Sequence, residues 1–188
     1  MSFRFSKTRI PDVILVEPKV FSDARGFFAE VYKASDFRSG GIEMTFLQVN
    51  HSRSQKDVLR GLHYQLRPKA QAKLVSVVRG EIFDVAVDIR KGSPSYGQWV
   101  SETLSEANRK TLFIPDGFAH GFCVLSDEAE ILYYCSEEYA PDLERNILWN
   151  DPVLGIPWPV VRPVLSPRDS GGKSLRDAQN NFRFGESQ

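Results

Sequence analysis

The sequence predicts an all-β, closed architecture, a small barrel or sandwich with a tail that wraps it. Three observations carry this reading. Short runs of β-forming residues recur at the spacing of such folds. Clusters of turn-forming residues separate them. One run, Ile82–Ile89, alternates with period two: Phe83, Val85, Val87 and Ile89 share one parity, and Ile82, Asp84, Ala86 and Asp88 the other. A strand built this way places its bulky face in a core. Its carboxylate face looks at water or into a polar cavity.

In chain order, strands are expected at Val13–Glu17, Phe27–Tyr32, Thr45–Asn50, Val58–Gln65, Leu74–Arg79, Ile82–Ile89, Trp99–Leu104, Thr111–Ile114, Phe122–Leu125 and Glu130–Ser136. Turns fall at Ser22-Asp23-Ala24-Arg25-Gly26, Arg79-Gly80, Lys91-Gly92-Ser93-Pro94 and Pro115-Asp116-Gly117. One short helix is expected near Ser35–Ser39, with Ser35 as its N-cap. Prolines at 159, 163 and 167 favour an extended tail over a packed element. With no repeat and no low-complexity linker, residues 1–188 read as one domain. Its barrel core lies at about 45–140, with N-terminal strands and a C-terminal tail appended.

Composition narrows the function. The 188 residues carry 24 Lys+Arg and 24 Asp+Glu, a net charge of zero, which argues against nucleic acid as the main partner. Two cysteines, Cys123 and Cys135, lie in hydrophobic runs and cannot make a secreted-type disulfide framework. The first residues open no apolar signal core, and no run approaches the ~20 residues of a membrane span. The expected setting is the cytoplasm, away from membranes.

Two clusters bear chemistry. Arg60-Gly61-Leu62-His63-Tyr64-Gln65, followed by Lys73, puts a cation, an imidazole and an amide on one strand, with His63 and Gln65 on one face. A surface strand with a partly exposed histidine explains the cluster equally well. Only three histidines occur (His51, His63, His120), and histidine alone titrates near working pH when unperturbed. The second cluster, Ile114-Pro115-Asp116-Gly117-Phe118-Ala119-His120-Gly121-Phe122, is a tight turn feeding a strand. By itself it is also a hairpin in which His120 satisfies a backbone group.

Taken together, the clusters resemble the two motifs of the cupin barrels, which implies a double-stranded β-helix, or jelly roll. Metal-binding cupins place two histidines one residue apart and a glutamate seven residues before a glycine. Here Gln65 replaces the second histidine, and Lys73 stands seven residues before Gly80. A charged ammonium has no lone pair for a cation and repels it. No metal and no other cofactor is expected. What remains is a base, His63, and a cation, Lys73, the two needs of proton abstraction beside a carbonyl.

A closer resemblance covers the stretch from Thr8 to about Asp169. Asp23-Ala24-Arg25-Gly26-Phe27-Phe28-x-Glu30, Gln48-Val49-Asn50-His51-Ser52, Leu59-Arg60-Gly61-Leu62-His63, Gly80-Glu81-Ile82-Phe83-Asp84-Val85-Ala86-Val87-Asp88, the His120 cluster and Ile147-Leu148-Trp149-Asn150-Asp151-Pro152 are similar to the dTDP-4-dehydrorhamnose 3,5-epimerases. The resemblance implies that His63 takes protons from carbons 3 and 5 of a 4-keto sugar and that Asp169 holds its imidazole. Tyr133 would return a proton on the opposite face, and Lys73 would face the enolate. Arg60 and Arg25 would meet the diphosphate. His120 and Asp84 would complete the polar cavity, and Gln48, Asn50, Glu30 and Glu144 would hydrogen-bond sugar or nucleoside. Tyr139 and Phe27 would offer aromatic surface to thymine. Arg168 stands where the family usually has lysine, and Tyr134 replaces a more polar residue. The implied assembly is a homodimer with exchanged N-terminal strands, in which Arg25, Phe27 and Glu30 enter the neighbouring site.

Two rivals stand beside this reading. A single-carbon epimerase or keto-isomerase shares the base and differs in the second proton donor; Tyr133 favours double inversion. A non-catalytic sugar-nucleotide-binding cupin needs the arginines and aromatics but not the set of His63, Asp169 and Tyr133.

Overall fold

Period-two alternation becomes, in the computed structural model, two antiparallel sheets that face each other; the structure describes residues 2–186. The first sheet has the order β1 (Phe3–Lys7), β2 (Ile14–Pro18), β10 (Thr111–Ile114), β7 (Lys73–Arg79), β12 (Glu128–Cys135), β5 (Gln48–Gln55). The second runs β13 (Glu144–Asn146), β6 (Leu59–Gln65), β11 (Phe118–Val124), β8 (Glu81–Asp88), β9 (Trp99–Ser105). A separate ribbon pairs β3 (Val20–Asp23) with β4 (Gly26–Ala29). Many neighbours in space are distant in sequence, the jelly-roll arrangement that the cupin resemblance implied.

Interior-facing residues follow one parity along each strand, apart from a bulge on β6, and the character of that parity changes along the strands. On β7 the inward residues run Lys73, Val75, Val77, and on antiparallel β12 they run Cys135, Tyr133, Ile131, Ala129. Valine and isoleucine join Ile82, Ala86, Leu112, Ile114, Phe118 and Val124 in an apolar core between the sheets. The polar members of the same rows surround a cavity at the other end. One face therefore supplies both the closed core and the site.

The outer faces are also covered. Val85 and Val87 of β8, and Ile89 just after it, lie beneath Ile147, Leu154, Leu175 and Phe182 of the C-terminal segment. The apolar parity of Ile82–Ile89 thus packs outward under the tail, while Ile82, Asp84 and Ala86 point inward. The tail is correspondingly a packed element and not merely extended chain: Phe182 is 1% exposed, and Pro167–Ser170 forms a helical turn, α2. On the other sheet, Phe3, Ile14, Val16, Leu74 and Phe113 pack under Phe37 of helix α1 (Ala34–Ser39).

Several boundaries differ from the sequence expectation. Helix α1 begins at Ala34 with Lys33 at the cap and no side-chain cap bond, so Ser35 lies inside the first turn. Strand β5 starts at Gln48 and extends to Gln55, and β11 starts at Phe118. The ribbon strand β4 stops at Ala29 instead of reaching Tyr32. Strands β1, β3 and β13 were not foreseen. Strand β1 pairs with β2, and β2 with β10, within the chain; the N-terminal strands therefore have partners here. The β3–β4 ribbon joins neither sheet, and Val20, Phe21, Phe27 and Phe28 on it are exposed.

Candidate active site

The polar end of the barrel holds a cavity of about 340 Å³, lined by Gln48, Asn50, Arg60, His63, Gln71, Lys73, His120, Phe122, Tyr133, Cys135, Tyr139, Glu144 and Arg168. Backbone geometry explains why Arg60 and His63, three residues apart, both reach it. Pairing of β6 with β11 runs His63↔His120 and then Arg60↔Phe122, so β6 carries one extra residue. Such a bulge reverses side-chain parity. It is centred on Gly61 (φ +138°), where an added Cβ would lie 2.5 Å from Gly121 Cα. Only glycine fits there.

The same bulge turns the Gly61 N–H toward Asp169, donating to its Oδ1 at 3.2 Å. Asp169 is delivered by α2. Ser166 caps that turn, accepting from the Asp169 N–H at 3.1 Å and donating from its hydroxyl to Asp169 Oδ2 at 2.6 Å. The side chain of Asn146, on β13, donates to the Arg168 carbonyl at 2.8 Å and ties the turn to the barrel. So supported, Asp169 Oδ1 lies 2.6 Å from His63 Nε2. Burial works to raise the Asp169 pKa, but hydrogen bonds from His63, Ser166 and Gly61 outweigh it and hold the group down at about 2. An ionised carboxylate only accepts, so His63 carries its hydrogen on Nε2 and keeps the Nδ1 lone pair as a base.

Across the cavity, from the opposing sheet, come Lys73 and Tyr133. Burial pushes the Lys73 pKa down; Cys135, Glu144 and Asp84 oppose this and Arg168 adds to it. Among the described residues no carboxylate lies within 4.0 Å of its ammonium nitrogen, which leaves that nitrogen for a ligand. Burial likewise pushes the Tyr133 hydroxyl up, with help from Cys135 and Glu144 against Arg60. The phenol therefore keeps its proton at neutral pH.

A second histidine–aspartate pair sits beside the first. His120 Nε2 lies 2.9 Å from Asp84 Oδ2. Burial lowers the His120 pKa, with Lys73 and His63 adding to the effect and Asp84 opposing it. Asp84 is fully buried and does not line the cavity; it acts on it through His120. Its Oδ1 has no partner.

At the rim, Arg168 pairs with Glu144, and the Tyr139 hydroxyl bonds to both. Arg60 donates to Ser54 Oγ at 3.1 Å. Gln48 and Asn50 bond to each other at 2.8 Å. Arg25, Phe27 and Glu30 are not brought to this cavity. Arg25 pairs with Asp23 at 2.6 Å on the exposed ribbon, and the Arg109 guanidinium lies 3.9 Å from the Phe27 ring centroid. Gln71, Phe122 and Cys135 line the cavity without having been singled out in the sequence. For two of them the signal was available, since Cys135 shares the parity of Tyr133 and Phe122 that of His120, whereas Gln71 lies ahead of β7, where no strand parity applies. Among the described residues, no group of three or more His, Cys, Asp or Glu side chains is placed to hold a metal ion.

Comparison with known proteins identifies the family. The family described as dTDP-4-dehydrorhamnose 3,5-epimerase matches residues 7–177. The dTDP-4-dehydrorhamnose 3,5-epimerase of Shigella flexneri is 56% identical over 173 residues, covering 92% of this chain and 96% of the relative. The crystal structure of the Legionella pneumophila 3,5-epimerase in complex with dTDP-4-keto-L-rhamnose superposes with a TM-score of 0.89 at 49% identity, covering 93% of both chains. A 3'-monoepimerase from Streptomyces bikiniensis, in complex with dTDP-quinovose, superposes with a TM-score of 0.85 at 35% identity, covering 90% of this chain and 87% of that one. The chain belongs to the dTDP-4-dehydrorhamnose 3,5-epimerase family and is an isomerase acting on carbohydrate.

Proposed function

We propose that the chain converts dTDP-4-dehydro-6-deoxy-D-glucose to dTDP-4-dehydro-L-rhamnose by inverting carbons 3 and 5. One observation carries the reading: a carboxylate-held imidazole and a protonated phenol line the same cavity from opposing sheets, with a lysine beside the phenol. Inversion requires a proton to leave one face and arrive on the other.

His63 Nδ1 removes the proton on a carbon next to the ketone, and the electron pair moves onto the carbonyl oxygen. Lys73 donates to that oxygen, and its lowered pKa brings its acidity closer to that of the enol. Asp169 stabilises the imidazolium. Tyr133 then gives its phenolic proton to the opposite face of the carbon, and exchange with solvent restores both groups. The second inversion repeats these steps at the other carbon. His120, fixed by Asp84, contacts the sugar from the side of the first base. Arg60 takes the diphosphate, and Tyr139 faces the thymine.

The working form is a cytoplasmic homodimer. The β3–β4 ribbon carries Arg25 and Phe27 away from their own cavity with apolar residues exposed around them, which suits entry of these two, with Glu30, into a neighbouring site. Both cysteines are free and buried, as suits a reducing compartment. Among the described residues, no helix is long and apolar enough to cross a membrane.

Incubation with dTDP-4-dehydro-6-deoxy-D-glucose in deuterated water tests the chemistry. Deuterium at both carbons 3 and 5 of an inverted product is expected. Label at one carbon alone would replace the proposal with single-site epimerisation, and no label at all would replace it with binding.

A further inference from the structure

We propose that Gln65 is a positioning residue for recognition of the nucleotide base: its buried amide fastens the 137–140 loop so that Tyr139 stands ready at the cavity rim. The inference rests on the reading of Tyr139 as the aromatic that faces the base.

Gln65 points inward from β6 and is 3% exposed. Its Nε2 donates to the carbonyls of Lys69 and Glu138, the latter at 3.0 Å, and its Oε1 accepts from the Ala140 N–H at 2.8 Å. Both amide hydrogens are spent, and one oxygen lone pair with them. The residue at a cupin metal-ligand position is therefore committed to the loop. A second glutamine completes the hold: the Tyr139 N–H donates to Gln48 Oε1 at 2.9 Å. Gln48 projects from β5 in the first sheet and Gln65 from β6 in the second, so residues 138–140 are tied to both walls of the barrel.

Tyr139 needs this hold. It is 51% exposed, and among the described residues no other aromatic ring packs against it. Its hydroxyl is steered by Glu144 and Arg168, while its backbone is steered by the two glutamines. Ordering the ring before the ligand arrives removes an entropic cost from binding. The effect belongs to affinity and leaves the proton transfers alone, because no bond of Gln65 touches His63, Lys73 or Tyr133.

Gln65→Glu keeps the acceptor for Ala140 and deletes both donors; Gln65→Leu deletes all three bonds. For both, the KM for the dTDP-sugar and the Kd for dTDP are expected to rise about tenfold, with kcat within about twofold of wild type. Tyr139→Ala is measured beside them. If it leaves the dTDP Kd unchanged, the base-facing reading of Tyr139 fails and this inference with it. If Tyr139→Ala weakens dTDP and neither Gln65 variant does, or if they lower kcat and spare KM, the positioning role alone is overturned. Hydrogen exchange on the wild-type protein needs no variant to fold. It should show a protected Ala140 amide without nucleotide, and exchange there at the rate of an open loop overturns the inference.

Discussion

Asp169 Oδ1 lies 2.6 Å from His63 Nε2 although 106 residues separate them in the chain. The contact is over-determined. The Gly61 N–H and the Ser166 hydroxyl each hold one carboxylate oxygen, and Asn146 ties the turn that carries it to the barrel through the Arg168 carbonyl.

Asp169→Asn tests what this contact does. An asparagine of the same shape offers an N–H to Nε2 and so favours the wrong tautomer, with the hydrogen on Nδ1. The expected result is a fall in kcat of about 10²–10⁴-fold with dTDP affinity retained. Steady-state kinetics and calorimetric titration with dTDP check it, and a kcat within threefold of wild type would remove Asp169 from the mechanism.

The same carboxylate ties stability to acid pH. Its pKa is held at about 2 in the folded protein, against an ordinary value of ~3.9 in the unfolded chain. A depressed pKa contributes stability above the unfolded value, and that stability is lost as pH falls through the folded one. The contribution is about 2 kcal/mol at neutral pH and should vanish between about pH 4 and pH 2. Urea midpoints at pH 5, 3.5 and 2.5 should therefore fall more steeply for wild type than for Asp169→Asn. Parallel curves would contradict the assigned shift.

Phe182 tests the packing of the tail. It is 1% exposed, meets Tyr64 edge-on at 6.4 Å between ring centroids, and shares a cluster with Val87, Ile89 and Leu175. Truncating such a side chain typically costs about 3–5 kcal/mol. Phe182→Ala should destabilise the protein by that order in equilibrium urea unfolding. A loss under about 1 kcal/mol would mean that the tail is not part of the core.

How much of this was legible in the sequence follows from the range of each interaction. Strand periodicity is local, so the core of Ile82–Ile89 and most strands could be read directly. Parity put Asp84 with Ile82 and Ala86 on one face, but whether that face met water or an interior depends on the opposing sheet. The tail was misread because its prolines speak about local backbone. What packs it, Phe182 and Leu175 against Val85 and Val87, is a contact across about ninety residues. The pairing of His63 with Asp169 was legible only through the family resemblance, since no spacing rule links residues so far apart. Arg60 reaches the cavity through a bulge at Gly61 that reverses parity, and strict alternation would have turned it outward.

Lys73 should set the alkaline limb of the pH–rate profile. Burial lowers its pKa below the ordinary ~10.4, so activity that needs its charge is lost as pH rises through that lowered value. Tyr133, shifted upward by burial, keeps its proton through the same window and is not the source of the decline. Arginine stays charged at every accessible pH. Lys73→Arg should therefore lower kcat at neutral pH and move the alkaline decline upward. If the limb stays where wild type has it, another group controls it.

Tyr133→Phe separates proton removal from inversion. The base, its carboxylate and the lysine are untouched, so His63 still takes a proton and exchanges it with solvent. Without the phenol, the proton returns mainly to the face it left. In deuterated water the substrate should become labelled at the attacked carbon while inverted product forms about 10²–10⁴-fold more slowly than in wild type. Proton NMR follows both events in one sample, as loss of the substrate signal without a shift and as growth of product signals. Loss of exchange together with inversion would show that the phenol is needed for enolisation itself. Unimpaired inversion would place the second proton donor elsewhere on the cavity wall.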